Sequence, residues 1–366
     1  MSGAGGRQLV DVVARFATNA AVVAVEPFSG PAGHINASYV VTARRGPDDR
    51  PVRFFLQRLN SHVFPDLRGL MENVSRVTHH VGGPLRLIST REGTAFYQDD
   101  AAEVWRLYDF IEGAVPRAVP TAADAERAAR AFGAFQRRLV DLPGPRLHET
   151  IPHFHDTPRR LESLECAVQR DPARRLAGAR HEVARVRAHG DLAAVLVQAA
   201  AAGAVPERVV HNDAKLANVL FDAASGEALC VVDLDTVMPG IALYDFGDLV
   251  RSMATRAAED ERDLGRVRLE PELFERIARG YLAETGDLLT RVERELLVPA
   301  TQVIVFEQAI RFLIDHLEGD RYYRIARPGH NLDRCRTQLT LLAALLEQEH
   351  PLRRRITLIQ KDLAAR

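Results

Sequence analysis

The sequence predicts an α+β chain of two lobes, a small β-rich front lobe over residues 1–112 and a larger, mainly helical back lobe over residues 113–366. Three observations carry this reading. The first 112 residues alternate short β-branched and aromatic runs with Gly- and Pro-containing turns. Past Glu112-Gly113-Ala114 the segments become rich in Ala, Arg, Leu and Glu, residues that favour helix. Between those helices one apolar β island, Val209 to Asp235, carries a dense set of Asp, Asn and Lys.

The elements follow in order. Ala21 to Val25 reads as a strand, Phe28 to Asn36 as a small-residue turn, and Ser38 to Thr42 as the second strand. Arg44 to Asp49 turns the chain into a third strand, Val52 to Leu59. Pro65-Asp66 opens a helix to about His80, with Leu67, Leu70, Met71, Val74 and Val77 at helical spacing. Leu85 to Ser89, Ala95 to Gln98 and Val104 to Ile111 supply further strands. Helices are expected over 122–140, 158–169 and 176–203, and again from Tyr244 to the end.

At 366 residues the chain can bury a substantial core. Its 48 Lys and Arg against 49 Asp and Glu point to neither nucleic acid nor an anionic membrane as a partner. Cys166, Cys230 and Cys335 lie far apart without metal-ligand spacing, as expected of free thiols in a reducing cytoplasm. The N-terminus lacks the charged head and apolar run of a secretory signal. The apolar stretch from Leu192 to Val205 is too short to span a bilayer. A soluble cytoplasmic protein is the expectation, and with no heptads a monomer is the default.

Chemistry concentrates in the β island. Asp213 and Asn218 stand five positions apart, and Asp233 follows 20 residues after Asp213, beyond an apolar strand. Phosphoryl transfer from a metal-bound nucleotide needs one carboxylate to orient a hydroxyl, with an Asn and a second carboxylate to hold the metal. Asp213 is therefore the catalytic candidate, and Asn218 and Asp233 are candidate ligands for Mg2+, which prefers oxygen donors. Lys215 can offset charge on the transferring phosphoryl group, and His211 reads as support for the loop backbone. Asp235 would share the face of Asp233 if the strand continued, for metal, substrate or backbone binding. The literal Asp245-Phe246-Gly247 matches the metal-binding triplet of protein kinases, yet it lies 32 residues past Asp213 in a helical pattern. Asp245 and Asp248 are therefore expected to cap that helix or brace the catalytic loop.

In the front lobe, Gly30 and Gly33 suit close approach of backbone N–H groups to the phosphates of ATP. Arg58 stands where kinases carry the cation for the α/β-phosphates, and Glu72 is its expected ion-pair partner. Tyr108 and Phe110 lead into the connector, where an adenine would sit between apolar walls.

Together these residues resemble the aminoglycoside phosphotransferase and choline kinase superfamily, across roughly Val22 to Arg336. The resemblance implies a bilobal protein-kinase-like fold. Within it the sequence looks most like the N-acetylhexosamine 1-kinases, through four runs: Gly33-His34-Ile35-Asn36, Leu56 to Asn60, Ile151 to His155, and Asp233 to Gly240 with Tyr244 to Asp248. The chain departs from the family turn by carrying Ala37-Ser38 where Asp often follows the Asn. The resemblance implies transfer from ATP, with Mg2+, to the anomeric hydroxyl of N-acetylglucosamine or N-acetylgalactosamine. It also implies sugar contacts from His34, Asn36, Asp235, Arg311, Asp315 and Tyr322. Arg311 and Asp315 are i,i+4 neighbours that one helix would present together. Aminoglycosides, choline, homoserine or another sugar are alternative acceptors, and a nucleotide-binding module without catalysis is the non-enzymatic alternative.

Overall fold

The computed structural model describes residues 4–28, 36–46, 49–61 and 63–365. In chain order these form α1 (Ala4–Ala14), β1 (Ala21–Pro27), β2 (Ala37–Arg44), β3 (Val52–Arg58), α2 (Leu67–Val81), β4 (Leu87–Ile88), β5 (Tyr97–Gln98), β6 (Val104–Asp109) and β7 (Ala114–Pro116). Next come α3 (Ala122–Arg138), α4 (Thr157–Arg170), α5 (Leu176–Ala188), α6 (Ala194–Ala201), β8 (Arg208–Val210), β9 (Val219–Asp222), β10 (Ala228–Val231) and β11 (Met238–Gly240). The chain continues with α7 (Ala242–Met253), α8 (Pro271–Thr285), α9 (Arg291–Glu295), α10 (Leu297–Glu318), α11 (His330–Glu347) and α12 (Glu349–Ala364). The fold is α+β, with the β-sheet region at the front and a mostly helical remainder. Two compact units result. The first comprises Met1–Pro116, Asp141–Pro152 and Leu220–Met238, and the second Arg117–Val140, His153–Val219 and Pro239–Arg366.

In the first unit an antiparallel sheet runs β1-β2-β3-β6-β4, with β5 pairing β6. Strand alternation decides what each face carries. Register pairs Leu56 with Leu107 and Arg58 with Trp105, while the intervening Gln57 pairs with Arg106 and points the other way. The Leu56 face is closed by Leu9, Val12 and Val13 of α1 and by Phe16 just past its end, which pack on Val41, Ala43, Phe54, Leu56, Trp105 and Leu107. The sequence reading had no helix there, although the 9-12-13-16 spacing is helical. The expected helix after Pro65 is present as α2, with Asp66 accepting from the Gly69 N–H at 2.8 Å and Leu70, Met71, Val74 and Val77 fully buried.

In the second unit α10 is a central helix packed by α4, α5, α7 and α11. It is long and apolar enough to cross a bilayer, and its apolarity is accounted for by burial of 83% of its apolar window inside the protein. Helices α3 and α8 cross closely at glycines. A Cβ on Gly280 would stand 2.2 Å from the Glu126 carbonyl oxygen, so no side chain fits there. The helix expected over 176–203 breaks at His189-Gly190, where a 3-10 turn separates α5 from α6.

Candidate active site

The second unit holds the candidate catalytic loop. Strand β8 delivers His211, Asn212 and Asp213, and Asn212 takes a left-handed conformation (φ 64°), which Asn tolerates better than most residues. A buried carboxylate fixes that bend. Asp245 on α7 accepts the N–H groups of His211 at 3.0 Å and Asn212 at 2.7 Å, together with the side-chain amide of Gln136 at 2.7 Å. The Tyr281 hydroxyl in turn donates to Gln136 at 2.6 Å, and the His211 ring meets Phe132 edge-on. Asp245 therefore braces the loop, as one branch of the sequence reading expects. It does not cap α7, whose N-cap is Ile241 without a side-chain bond.

Asp213, Lys215 and Asn218 come together. Lys215 Nζ donates to Asp213 Oδ2 at 2.6 Å, and Asn218 Nδ2 donates to the same oxygen at 3.0 Å and to the Asp213 carbonyl at 2.9 Å. Burial alone would push the Asp213 carboxyl up, but Lys215, His211 and Arg251 outweigh it and hold the group well below the usual carboxylate range. Such a group orients a hydroxyl well and takes its proton poorly. With its amide nitrogen committed to Asp213, Asn218 offers its oxygen for metal ligation.

The first unit holds the Asp233 bend. Strand β10 ends at Val231, and Asp233 sits left-handed (φ 64°, ψ 57°) before a 3-10 turn over Leu234–Thr236. Asp235 is thus not one pleat from Asp233 on a shared face. It is 3% exposed, with one carboxylate oxygen paired to the Arg106 guanidinium and the other accepting from Asn36 Nδ2 at 2.6 Å. Asn36 Oδ1 accepts the Asn60 N–H at 3.0 Å, and Arg106 also donates to Gln57 Oε1 from Nε at 3.0 Å and Nη2 at 2.8 Å. Asn36 and Asp235, expected at the sugar, instead satisfy each other and Arg106. Sequence reasoning missed Arg106. Its signal was a lone charge in the apolar run Val104 to Tyr108, since a buried guanidinium requires a buried acceptor.

The expected Arg58–Glu72 pair does not form. Alternation puts Arg58 on the α1 side of the sheet, over the Trp105 ring at 5.9 Å and 3.5 Å from Glu103, while Glu72 meets His148 at 3.0 Å. On the opposite face Tyr108 is buried beside Arg106, with 5.3 Å between guanidinium and ring. Phe110 lies under Arg53 at 4.1 Å, and Arg53 is paired in turn with Glu112. Gly30, Gly33 and His34 lie outside the described residues. The two candidate metal ligands divide between the units, Asn218 in the second and Asp233 in the first, and both offer the oxygen donors that Mg2+ takes.

Of the expected acceptor residues in the second unit, Arg311 and Tyr322 come together and Asp315 stands apart. The Arg311 guanidinium lies 4.8 Å from the Phe154 ring, 5.9 Å from Tyr322 and 5.8 Å from Tyr323. Asp315 turns the other way. It accepts the N–H groups of Arg321 and Tyr322 at 2.8 Å, Tyr323 at 2.9 Å and the Asn331 amide at 2.8 Å. Asp315 therefore shapes the loop carrying the tyrosines and has no pairing with Arg311.

The chain belongs to the phosphotransferase enzyme family, whose model matches residues 27–293. Solved structures with the same fold include a microcompartment-associated aminopropanol kinase, 17% identical with TM-score 0.61, covering 96% of this chain and 99% of that one. A choline kinase from Cryptosporidium parvum Iowa II is 12% identical with TM-score 0.59, covering 94% and 97%. A spectinomycin phosphotransferase, solved with ADP and spectinomycin, is 12% identical with TM-score 0.56, covering 93% and 98%. At these identities the likeness shows a shared fold. The family makes the chain a small-molecule phosphotransferase.

Proposed function

We propose that the chain is an ATP- and Mg2+-dependent kinase acting on the anomeric hydroxyl of an N-acetylhexosamine, yielding the sugar 1-phosphate. The observation that carries the chemistry is the Asp213–Lys215–Asn218 cluster on a loop braced by Asp245. The narrower acceptor rests on the resemblance of the Gly33–Asn36, Leu56–Asn60, Ile151–His155 and Asp233–Gly240 runs to the N-acetylhexosamine 1-kinases. The charge around Arg311 supports a neutral acceptor, because a guanidinium flanked by Phe154 and two tyrosines repels an ammonium group.

Asp213 accepts a hydrogen bond from the sugar hydroxyl and aims its oxygen at the γ-phosphorus. The new O–P bond forms as the bond from the γ-phosphorus to the β–γ bridging oxygen breaks, and ADP departs with that electron pair. With its carboxyl held so acidic, Asp213 orients the hydroxyl, and the proton leaves late, passing through the carboxylate to solvent or product phosphate. Lys215 offsets charge on the equatorial oxygens. Asn218 and Asp233 would hold Mg2+, which when bound neutralises phosphate charge.

A coupled ADP-release assay over sugars, aminoglycosides, choline and homoserine tests the reading. N-acetylhexosamines should give the highest turnover, and 1-deoxy analogues none. Faster release with an amino alcohol, or equal release with a 1-deoxy sugar, would replace this acceptor assignment.

A further inference from the structure

We propose that His155, oriented by Glu307, is a positioning residue for Asp213. It fixes the carbonyl of Asn212 and so the peptide that carries the catalytic aspartate. Its ring is buried, with Nδ1 2.9 Å from Glu307 Oε1 and Nε2 3.2 Å from the Asn212 carbonyl oxygen. A carbonyl can only accept, so Nε2 faces it as a donor and Nδ1 is committed to Glu307. Burial alone would push the Glu307 carboxyl up, but His155, Arg311 and the Thr157 hydroxyl outweigh this and hold it below the usual range. Thr157 Oγ1 occupies the second Glu307 oxygen at 2.7 Å, and the Tyr244 ring lies over the imidazole at 4.4 Å.

The Asn212 residue is therefore held from two sides. The Asp245 carboxylate takes its N–H, and the His155 ring takes its C=O. This matters because a left-handed backbone (φ 64°) is disfavoured for L-residues and persists where surroundings impose it. Relaxation of that bend would swing Asp213 away from Lys215 and Asn218. Glu307 stands one turn before Arg311 on α10, so one helix carries both the support of the catalytic loop and the acceptor-side guanidinium. The Ile151 to His155 run, marked in the sequence but given no task there, thereby acquires one.

The inference rests on the phosphotransferase reading of Asp213, so its test includes readouts that need no turnover. In the native protein, 15N-detected imidazole NMR, with His155 assigned by its loss in His155→Gln, should show a proton on Nε2 with a hydrogen-bonded shift. A ring without a proton on Nε2 would overturn the proposal. In His155→Leu, amide hydrogen exchange at Asn212 and Asp213 should quicken at least tenfold relative to the α10 core, and unchanged exchange would also overturn it. With an accepted substrate, His155→Leu should lose on the order of 10²-fold in kcat with KM for ATP within about twofold, as misplacement of a reacting group does. His155→Gln with Glu307→Gln, which restores a donor to the carbonyl without a buried unpaired carboxylate, should recover most of that loss. Wild-type kcat in folded His155→Leu would refute the role, whereas a wild-type protein inert toward every acceptor but showing the Nε2 proton and the exchange effect would count against the kinase reading alone.

Discussion

Two carboxylates, Asp213 and Asp235, are each paired with a cation, and they are built for opposite purposes. The Asp213 and Lys215 side chains are 29% and 33% exposed, so water and ligands can reach both. The Asp235 and Arg106 side chains are 4% and 1% exposed, with Asn36 and Gln57 filling the remaining hydrogen bonds. An accessible pair is worth about 0–1 kcal/mol and can be rearranged by a substrate. A buried one adds little net stability over apolar groups, yet removing one partner costs about 3–5 kcal/mol because the other charge is stranded. Proximity of opposite charges does not mark a working residue. Accessibility does.

Substitutions can break that contrast, beginning with the largest effect. Asp213→Asn should lower kcat by about 10²–10⁴-fold with nucleotide binding retained, since only the hydroxyl-orienting carboxylate is lost. Near-normal turnover beside unchanged calorimetric ATP affinity would move the catalytic role elsewhere. Arg106→Leu should lower unfolding free energy by about 3–5 kcal/mol. Adding Asp235→Leu should return most of it, and a double variant as unstable as the single would show that the pair is not the cause. Asp245→Asn removes the charge that holds two buried loop N–H groups, at about 1–3 kcal/mol of stability, and kcat should fall with it. Were denaturant midpoint and kcat both unchanged, the brace would be dispensable. Lys215→Met should alter stability by no more than about 1 kcal/mol while slowing transfer. A large stability loss there would erase the difference between the two pairs.

Much of this was legible in the sequence. The periodicity of Leu70, Met71, Val74 and Val77 located α2, and the five-residue spacing picked out Asp213 and Asn218, which hydrogen bonds join. The misreadings share a physical origin. Alternation placed Asp235 beside Asp233 on the premise of a continuing strand, and a left-handed Asp cannot be foreseen when Asp also suits a strand end. The i,i+4 rule put Asp315 near Arg311 on α10 but does not say where a carboxylate turns, and it turned to the backbone of the following loop. Arg58 was chosen by motif position, whereas alternation with Phe54 and Leu56 puts it on the face that α1 closes, and α1 itself went unread. Glycines at the start of α1 masked the apolar spacing that follows them.

The bend at Asp233 limits what this position can ever become. At φ 64° and ψ 57° its backbone admits Gly, Asn and Asp readily, while other L-residues are penalised by about 1–2 kcal/mol before any ligand is considered. An alanine or glutamate there would register conformational cost and lost ligation in one number. Asparagine separates them, keeping the bend while removing the charge.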